Sequence, residues 1–152
     1  MSQVRFQVLF GPFQPQPQPQ LMGGRAAARL IPDDPTPGGY AWRLIAANNR
    51  ELGRSALGFV SYQLARRGIG QLKQGIDRLV QHSTVDPSTR RWGWLFDLDG
   101  AVVAVSGRWY ERELHGRLGA AKFVTLAPGA ELTDGVVRLP SRHGEPFVEG
   151  AR

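Results

Sequence analysis

Between residues 61 and 80 the apolar positions Tyr62, Ala65, Ile69, Leu72, Ile76 and Leu79 recur at steps of three and four. That spacing puts them on one stripe of an α-helix. Arg66, Arg67, Lys73, Gln74, Asp77 and Arg78 fall mostly on the other face. Ser61 is placed to cap the start by accepting a hydrogen bond from an orphan backbone N–H. Arg78 would stand near the end, where the helix dipole favours a cation. A fainter helical pattern runs over 111–126 and is stopped by Pro128-Gly129. Burying such a stripe stabilises by about 1.5–3 kcal/mol per large side chain, so each helix needs an apolar sheet face to cover.

The stretches before the helices supply that face. Tyr40, Trp42 and Leu44 alternate with Ala41, Arg43 and Ile45, the period of a half-buried strand. Asn48-Asn49 marks a hairpin, because asparagine tolerates positive φ, and 51–59 returns as a second strand. The pattern recurs downstream. Asp86-Pro87-Ser88 forms a turn with a short strand on its first side. Trp92, Trp94, Phe96 and Leu98 alternate, Asp99-Gly100 marks a second hairpin, and 102–110 returns.

The halves align at an offset of 51 residues: Ser55 on Ser106, Phe59 on Tyr110, Arg66 on Arg117, Gly68 on Gly119, Leu72 on Phe123. Glycine in mid-helix costs about 1 kcal/mol against alanine. Two at equivalent places point to a close helix–sheet approach in both copies, and hence to a duplication. The register fails in the strand before the hairpin, where the second copy is one residue shorter. A bulge in one copy only would explain that.

The run from Trp42 through Asn49, with Ser55, Phe59 and Arg67-Gly68-Ile69, resembles the repeat of the YegP-like small bacterial family. That repeat reads aromatic-x-Leu-x-Ala-x-Asn-Gly, then Ser, an aromatic, and a helix with Gly-Ile. Asp99-Gly100, Ser106, Tyr110 and Gly119-Ala120 carry the likeness into the second copy. It covers 26–127 and departs from the pattern at Asn49, where Gly is usual. The resemblance implies two units of three strands and a helix, and it implies no catalytic residue. The expected fold is therefore α+β: two tandem strand-strand-strand-helix repeats with pseudo-two-fold symmetry, their antiparallel sheet covered by helices. The expected organisation is a proline/glutamine-rich extended tail (1–25), a first repeat (26–80), a second repeat (81–129) and a C-terminal extension (130–152).

Proline and glutamine alternate over 15–19, which excludes helix and central strand there and favours polyproline II. Residues 4–10 could form a strand that Gly11-Pro12 ends, and 26–31 another. With no cysteine there is neither a disulfide framework nor a thiolate metal site. No apolar run approaches the roughly 18 residues that span a bilayer. These features suit a cytoplasmic protein. The formal charge is +6, and all but two of the 19 basic residues are arginine. That balance raises nucleic acid as a partner, but the arginines are scattered, as solvated surface residues are.

The sharpest enzymatic pattern is Leu95-Phe96-Asp97-Leu98-Asp99-Gly100, which matches the opening motif of haloacid-dehalogenase-like phosphotransferases. That chemistry needs both carboxylates at the end of a parallel strand, with Mg²⁺ between them and the phosphate. Fewer than 60 residues follow Asp99, too few for the remaining parts of such a site. The same pattern also reads as a strand running into an Asp-Gly turn. His82, His115 and His143 are not spaced as metal ligands, so neither a metal nor a cofactor is expected. Trp42, Trp92, Trp94 and Trp109 stand near Arg43, Arg90, Arg91 and Arg108, a mixture that can stack on bases or form a protein interface. Alternating aromatics on strands more often build a core. The residues of this chain thus suggest a non-catalytic binding or assembly module. It would act through a protein partner or a second copy of itself, at a surface drawn from Trp42, Arg43, Arg91, Trp92, Trp94, Arg108 and Trp109. Nucleic-acid binding is the alternative, and a Mg-dependent phosphotransferase using Asp97 and Asp99 a distant one. The unpaired edges at 4–10 and 136–139 would offer the pairing surfaces.

Overall fold

The computed structural model describes residues 3–13 and 38–139. Seven strands form one sheet in the order β4-β5-β6-β3-β2-β1-β7. β1 (Arg5–Gly11), β2 (Gly39–Ile45) and β3 (Glu51–Ser55) lead into helix α1 (Tyr62–Gln74). β4 (Leu79–Val85), β5 (Trp92–Leu98) and β6 (Ala101–Ser106) lead into α2 (Glu113–Leu126), and β7 (Glu131–Arg138) closes the order. The two units meet at the antiparallel β3–β6 pair, about which they are related by a pseudo-two-fold. Among the described residues only the β1–β7 pair is parallel.

Both helices pack on one sheet face. Under them lie Phe6, Val8, Trp42, Leu44, Trp94 and Phe96, against Ala65, Ile69 and Leu72 of α1 and Ala120 and Phe123 of α2. The capping expectation holds: Ser61 Oγ accepts from Leu64 N–H at 3.1 Å. The helix is shorter than the apolar period implied. It ends at Gln74 because Gly75 follows against the Leu98 side chain, where a Cβ would lie 2.6 Å from Cδ1. Ile76 sits in a short 3₁₀ turn and Leu79 opens β4. Both still pack on the core, so the stripe persists after the helix has stopped.

The bulge expected in one copy occurs in both. Leu52 stands unpaired between Gly53 and Glu51, and Val103 between Ala104 and Val102, at the duplicated offset. The one-residue difference lies in the turns. The second hairpin has a two-residue turn with positive φ at Asp99 and Gly100. The first spans a longer loop, closed by Asn49 N–H to the Ala46 carbonyl at 2.8 Å, and only Asn49 is left-handed. Two- and three-residue hairpin loops demand these different backbones.

The matched glycines mark close helix–sheet contacts. A Cβ on Gly68 would lie 2.9 Å from Phe59 Cζ and 3.5 Å from Trp42 Nε1. On Gly119 it would lie 2.9 Å from Tyr110 Cζ and 3.4 Å from Trp94 Nε1. The serines match as well: Ser55 Oγ accepts from Trp42 N–H and Ser106 Oγ from Trp94 N–H, each at 3.2 Å.

The expectations about the ends meet the structure differently. The strand expected at 4–10 forms as β1 (5–11), the outer strand of the first unit, so these residues belong to that unit rather than to the tail. The edges expected at 4–10 and 136–139 are joined to each other: β7 pairs with β1, and Leu132 and Val136 pack on the core. Their β-branched, apolar positions found a partner inside the chain. Of the tail beyond β1 only 12–13 are described, and the proline-glutamine tract at 15–19 lies outside the described residues. The strand expected at 26–31 lies outside the described residues.

Candidate interaction face

Strand alternation sends one set of side chains to the helix side and the other to the opposite face. Direct cross-strand pairing aligns His82, Leu95, Val105, Arg54, Arg43 and Gln7 in one row across six strands of that opposite face. At its centre Glu51 organises two cations. Arg54 Nε and Nη2 donate to Glu51 Oε2 and Oε1 at 2.7 and 2.9 Å, and Arg43 Nη1 lies 3.6 Å from Oε1. Arg43 Nε and Nη2 also donate to Gln7 Oε1 at 3.1 and 2.9 Å. A bidentate Arg–carboxylate pair fixes the guanidinium plane as well as its charge.

Beside this row lies Trp109. Gly93 faces the same side, and a Cβ there would be 3.1 Å from the Trp109 ring. The indole therefore lies over a strand position that has no side chain, and it stays 46% exposed. At the same end Trp92 exchanges backbone hydrogen bonds with Tyr110 at 2.6 and 2.7 Å, and Arg108 stands 5.0 Å over the Tyr110 ring. Arg91 is exposed, in the turn closed by Asp86 N–H to its carbonyl. Asp86 accepts from Ser88 N–H and Oγ, which holds its carboxyl below the usual carboxylate range.

Of the residues the sequence nominated for an interface, Arg43 and Trp109 stand on this face. Arg91, Trp92 and Arg108 lie at the same end of β5 and β6, but Trp92 turns to the helix side, its Cβ 3.9 Å from where Gly116 of α2 would carry one, and Arg108 sits over Tyr110, which packs under Gly119. Trp42 and Trp94 do not reach the surface. Each is 1% exposed in the core, because both point to the helix side. Sequence reading missed Glu51, whose role depends on strand pairing.

The phosphotransferase pattern is overturned by its setting. β5 is antiparallel to both neighbours, so Asp97 and Asp99 do not stand at the end of a parallel strand. His82 Nε2 lies 2.5 Å from Asp97 Oδ2. Asp99, in the left-handed turn, accepts from Arg78 Nε and Nη2 at 3.2 and 3.1 Å, which depresses its pKa. These contacts are those of a hairpin tied to the preceding turn. A small cleft of about 50 Å³ lies under α1 between Trp42, Phe59, Gly68 and Val103, room for a few waters. Under α2 the larger Phe123 takes the place that Leu72 holds under α1.

No protein-family model and no curated protein matches the chain. Two solved structures do. The solution structure of the protein of unknown function yegP from E. coli aligns with a TM-score of 0.56 at 12% identity, over 90% of this chain and 96% of that one. The chain shares the yegP fold. The UPF0339 protein SO3888 from Shewanella oneidensis aligns with a TM-score of 0.50 at 10% identity, over 90% and 95%. At such identity the likeness to yegP concerns the fold. It agrees with the two-unit architecture implied by the repeat motifs. Among the described residues no helix is long and apolar enough to cross a membrane.

Proposed function

We propose that the protein is a non-catalytic binding module that acts through protein–protein contacts, and that the sheet face opposite α1 and α2, around Trp109, is its contact surface. The observation that carries this reading is the exposed indole seated over Gly93, beside the half-buried Leu95 and Val105 and the Glu51-anchored arginines. Tryptophan and arginine are the residues most enriched at energetic centres of interfaces, and a planar indole loses little conformational freedom on docking. The pairing of Arg43, Arg54 and Arg78 with carboxylates weakens the case for nucleic acid, since cations that bind phosphate would first have to leave those partners.

A photo-crosslinking amino acid at position 109, with a control at Leu114 on the outer helix face, tests this in living cells. A discrete protein adduct at 109 that is absent at 114 and lost with Arg54→Glu is expected. Equal adducts at both positions, or capture of nucleic acid instead, would overturn the reading.

A further inference from the structure

Among the described residues the pseudo-two-fold leaves one place in the sheet unfilled. β1 is the outer strand of the first unit, and β7 lies beside it. β4 is the outer strand of the second unit, and among the described residues the sheet ends there. The two ends are built differently. β7 carries an irregularity in which Thr133, Asp134 and Gly135 stand opposite Gln7, with Gly135 at φ 86°, and Arg138 lies 5.1 Å over the Phe10 ring. Bulges and charges of this kind discourage further pairing. β4 has none of them. It pairs with β5 in unbroken register from Leu79 to Val85, and Leu-Val-Gln-His-Ser-Thr-Val holds no proline, glycine or charged Lys, Arg, Asp or Glu.

We propose that the β4 edge pairs antiparallel with the β4 edge of a second copy, joining two sheets about a two-fold axis at His82. This rests on the proposed role in protein contacts and names one such partner. The backbone supports the register. Trp92 N–H and Trp94 N–H bond toward the β6 side, so those of Gly93, Leu95 and Asp97 turn to β4. Val80, His82 and Thr84 answer them, which leaves the amides of Gln81, Ser83 and Val85 turned outward. A two-fold at His82 sets Gln81 against Ser83 and Leu79 against Val85 of the other copy, so outward groups meet outward groups. The side chains are self-complementary in that register: amide meets hydroxyl, Leu79 meets Val85, and Val80 meets Thr84. No like charges are forced together along the strand, and Asp97 holds His82 back over β5. Val80 and Val85 are 49% and 44% exposed in the single chain. Where β1 places the buried Phe6 and Val8 under α1, β4 places the exposed Gln81 and Ser83, a composition suited to a seam that opens and closes.

Sedimentation of the full chain over a range of concentrations, with amide exchange at each, tests the proposal. A dimer is expected, with Gln81, Ser83 and Val85 gaining protection as it forms. Ser83→Pro removes an outward amide without breaking a bond to β5, and should weaken association by at least about tenfold. Val85→Lys should do the same through edge charge and guards against a folding defect of the proline variant. Trp109→Ala should leave the dimer intact, which separates this proposal from the one at the other face. A monomer at every concentration, or a dimer indifferent to both β4 variants, would overturn it.

Discussion

Helix α1 contains its own control for the close helix–sheet approach. Gly68 and Gly70 lie two residues apart in the same helix. A Cβ on Gly70 meets nothing within 4 Å, whereas one on Gly68 would press on Phe59 Cζ at 2.9 Å. Replacing glycine by alanine inside a helix gains roughly 1 kcal/mol from backbone entropy. Gly70→Ala should keep that gain, raising the melting temperature by about 2–4 °C for a chain of this size. At Gly68 the gain is set against overpacking, which costs about 1–3 kcal/mol in a well-filled core. The net effect at 68 should be a loss of up to about 2 kcal/mol. The second copy sharpens the test. At Gly119 the added Cβ meets Tyr110 Cζ at 2.9 Å and Tyr110 Oη closer still, so Gly119→Ala should cost more than Gly68→Ala. Tyr110→Phe removes that hydroxyl and should bring the cost at 119 down to the cost at 68. Urea unfolding followed by tryptophan fluorescence and circular dichroism measures the wild-type chain, the four single variants and the Gly119→Ala/Tyr110→Phe double variant. If Gly68→Ala stabilised as much as Gly70→Ala, the claim that the matched glycines exist for close packing would fail.

Gly53→Ala should cost about 2–3 kcal/mol, since its Cβ would lie 2.6 Å from Trp94 Cη2 and 2.9 Å from the Phe123 ring. Phe123→Leu should recover part of that loss, because the other unit combines Ala104 with Leu72; additive losses in a double-mutant cycle would refute the volume exchange. Ser55→Ala should cost about 1–3 kcal/mol by leaving the buried Trp42 N–H without its acceptor, as read from urea midpoints, with a smaller loss for the less buried Ser106→Ala. Arg78 lowers the Asp99 pKa from 3.8, so this pair's contribution is complete above that value and fades as pH falls below it; Arg78→Gln should flatten the acid limb of the stability profile there and leave its shape near neutrality unchanged.

The duplication was legible because its markers are local. Ser55 and Ser106, Gly68 and Gly119, and Phe59 and Tyr110 keep one offset, and each pair performs one physical task in both copies. The end of α1 was less legible, because Ile76 and Leu79 continue the helical period while packing from other backbone shapes. The Trp42 and Trp94 alternation showed that one face is buried, yet period alone does not say which side the helices take. Long-range pairing was hidden for a different reason. Nothing near Val4 or Phe10 announces a strand some 120 residues downstream, and the Glu51 network exists only once β2, β3 and β1 are side by side. That Arg91, Trp92, Arg108 and Trp109 share one end of β5 and β6 follows from a hairpin that sequence reading did find, but which face each side chain takes depends on the strand's setting under α2.

The parallel β1–β7 pair also bears on how the chain is made. Unit one has all its own strands by Ser55 and its helix by Gln74, yet one side of β1 finds its partner only in residues 131–138. At 5–20 residues per second, roughly 6–25 s of synthesis separate β1 from β7. During that interval Phe6 and Val8 stand at an open edge, exposed to any strand from a neighbouring nascent chain. Contacts this distant in sequence also slow folding, since the loop must close before the pairing rewards it. β7 thus completes the sheet beside β1 long after β1 is made, and ribosome-bound chains that stop short of residue 131 should be the ones that associate.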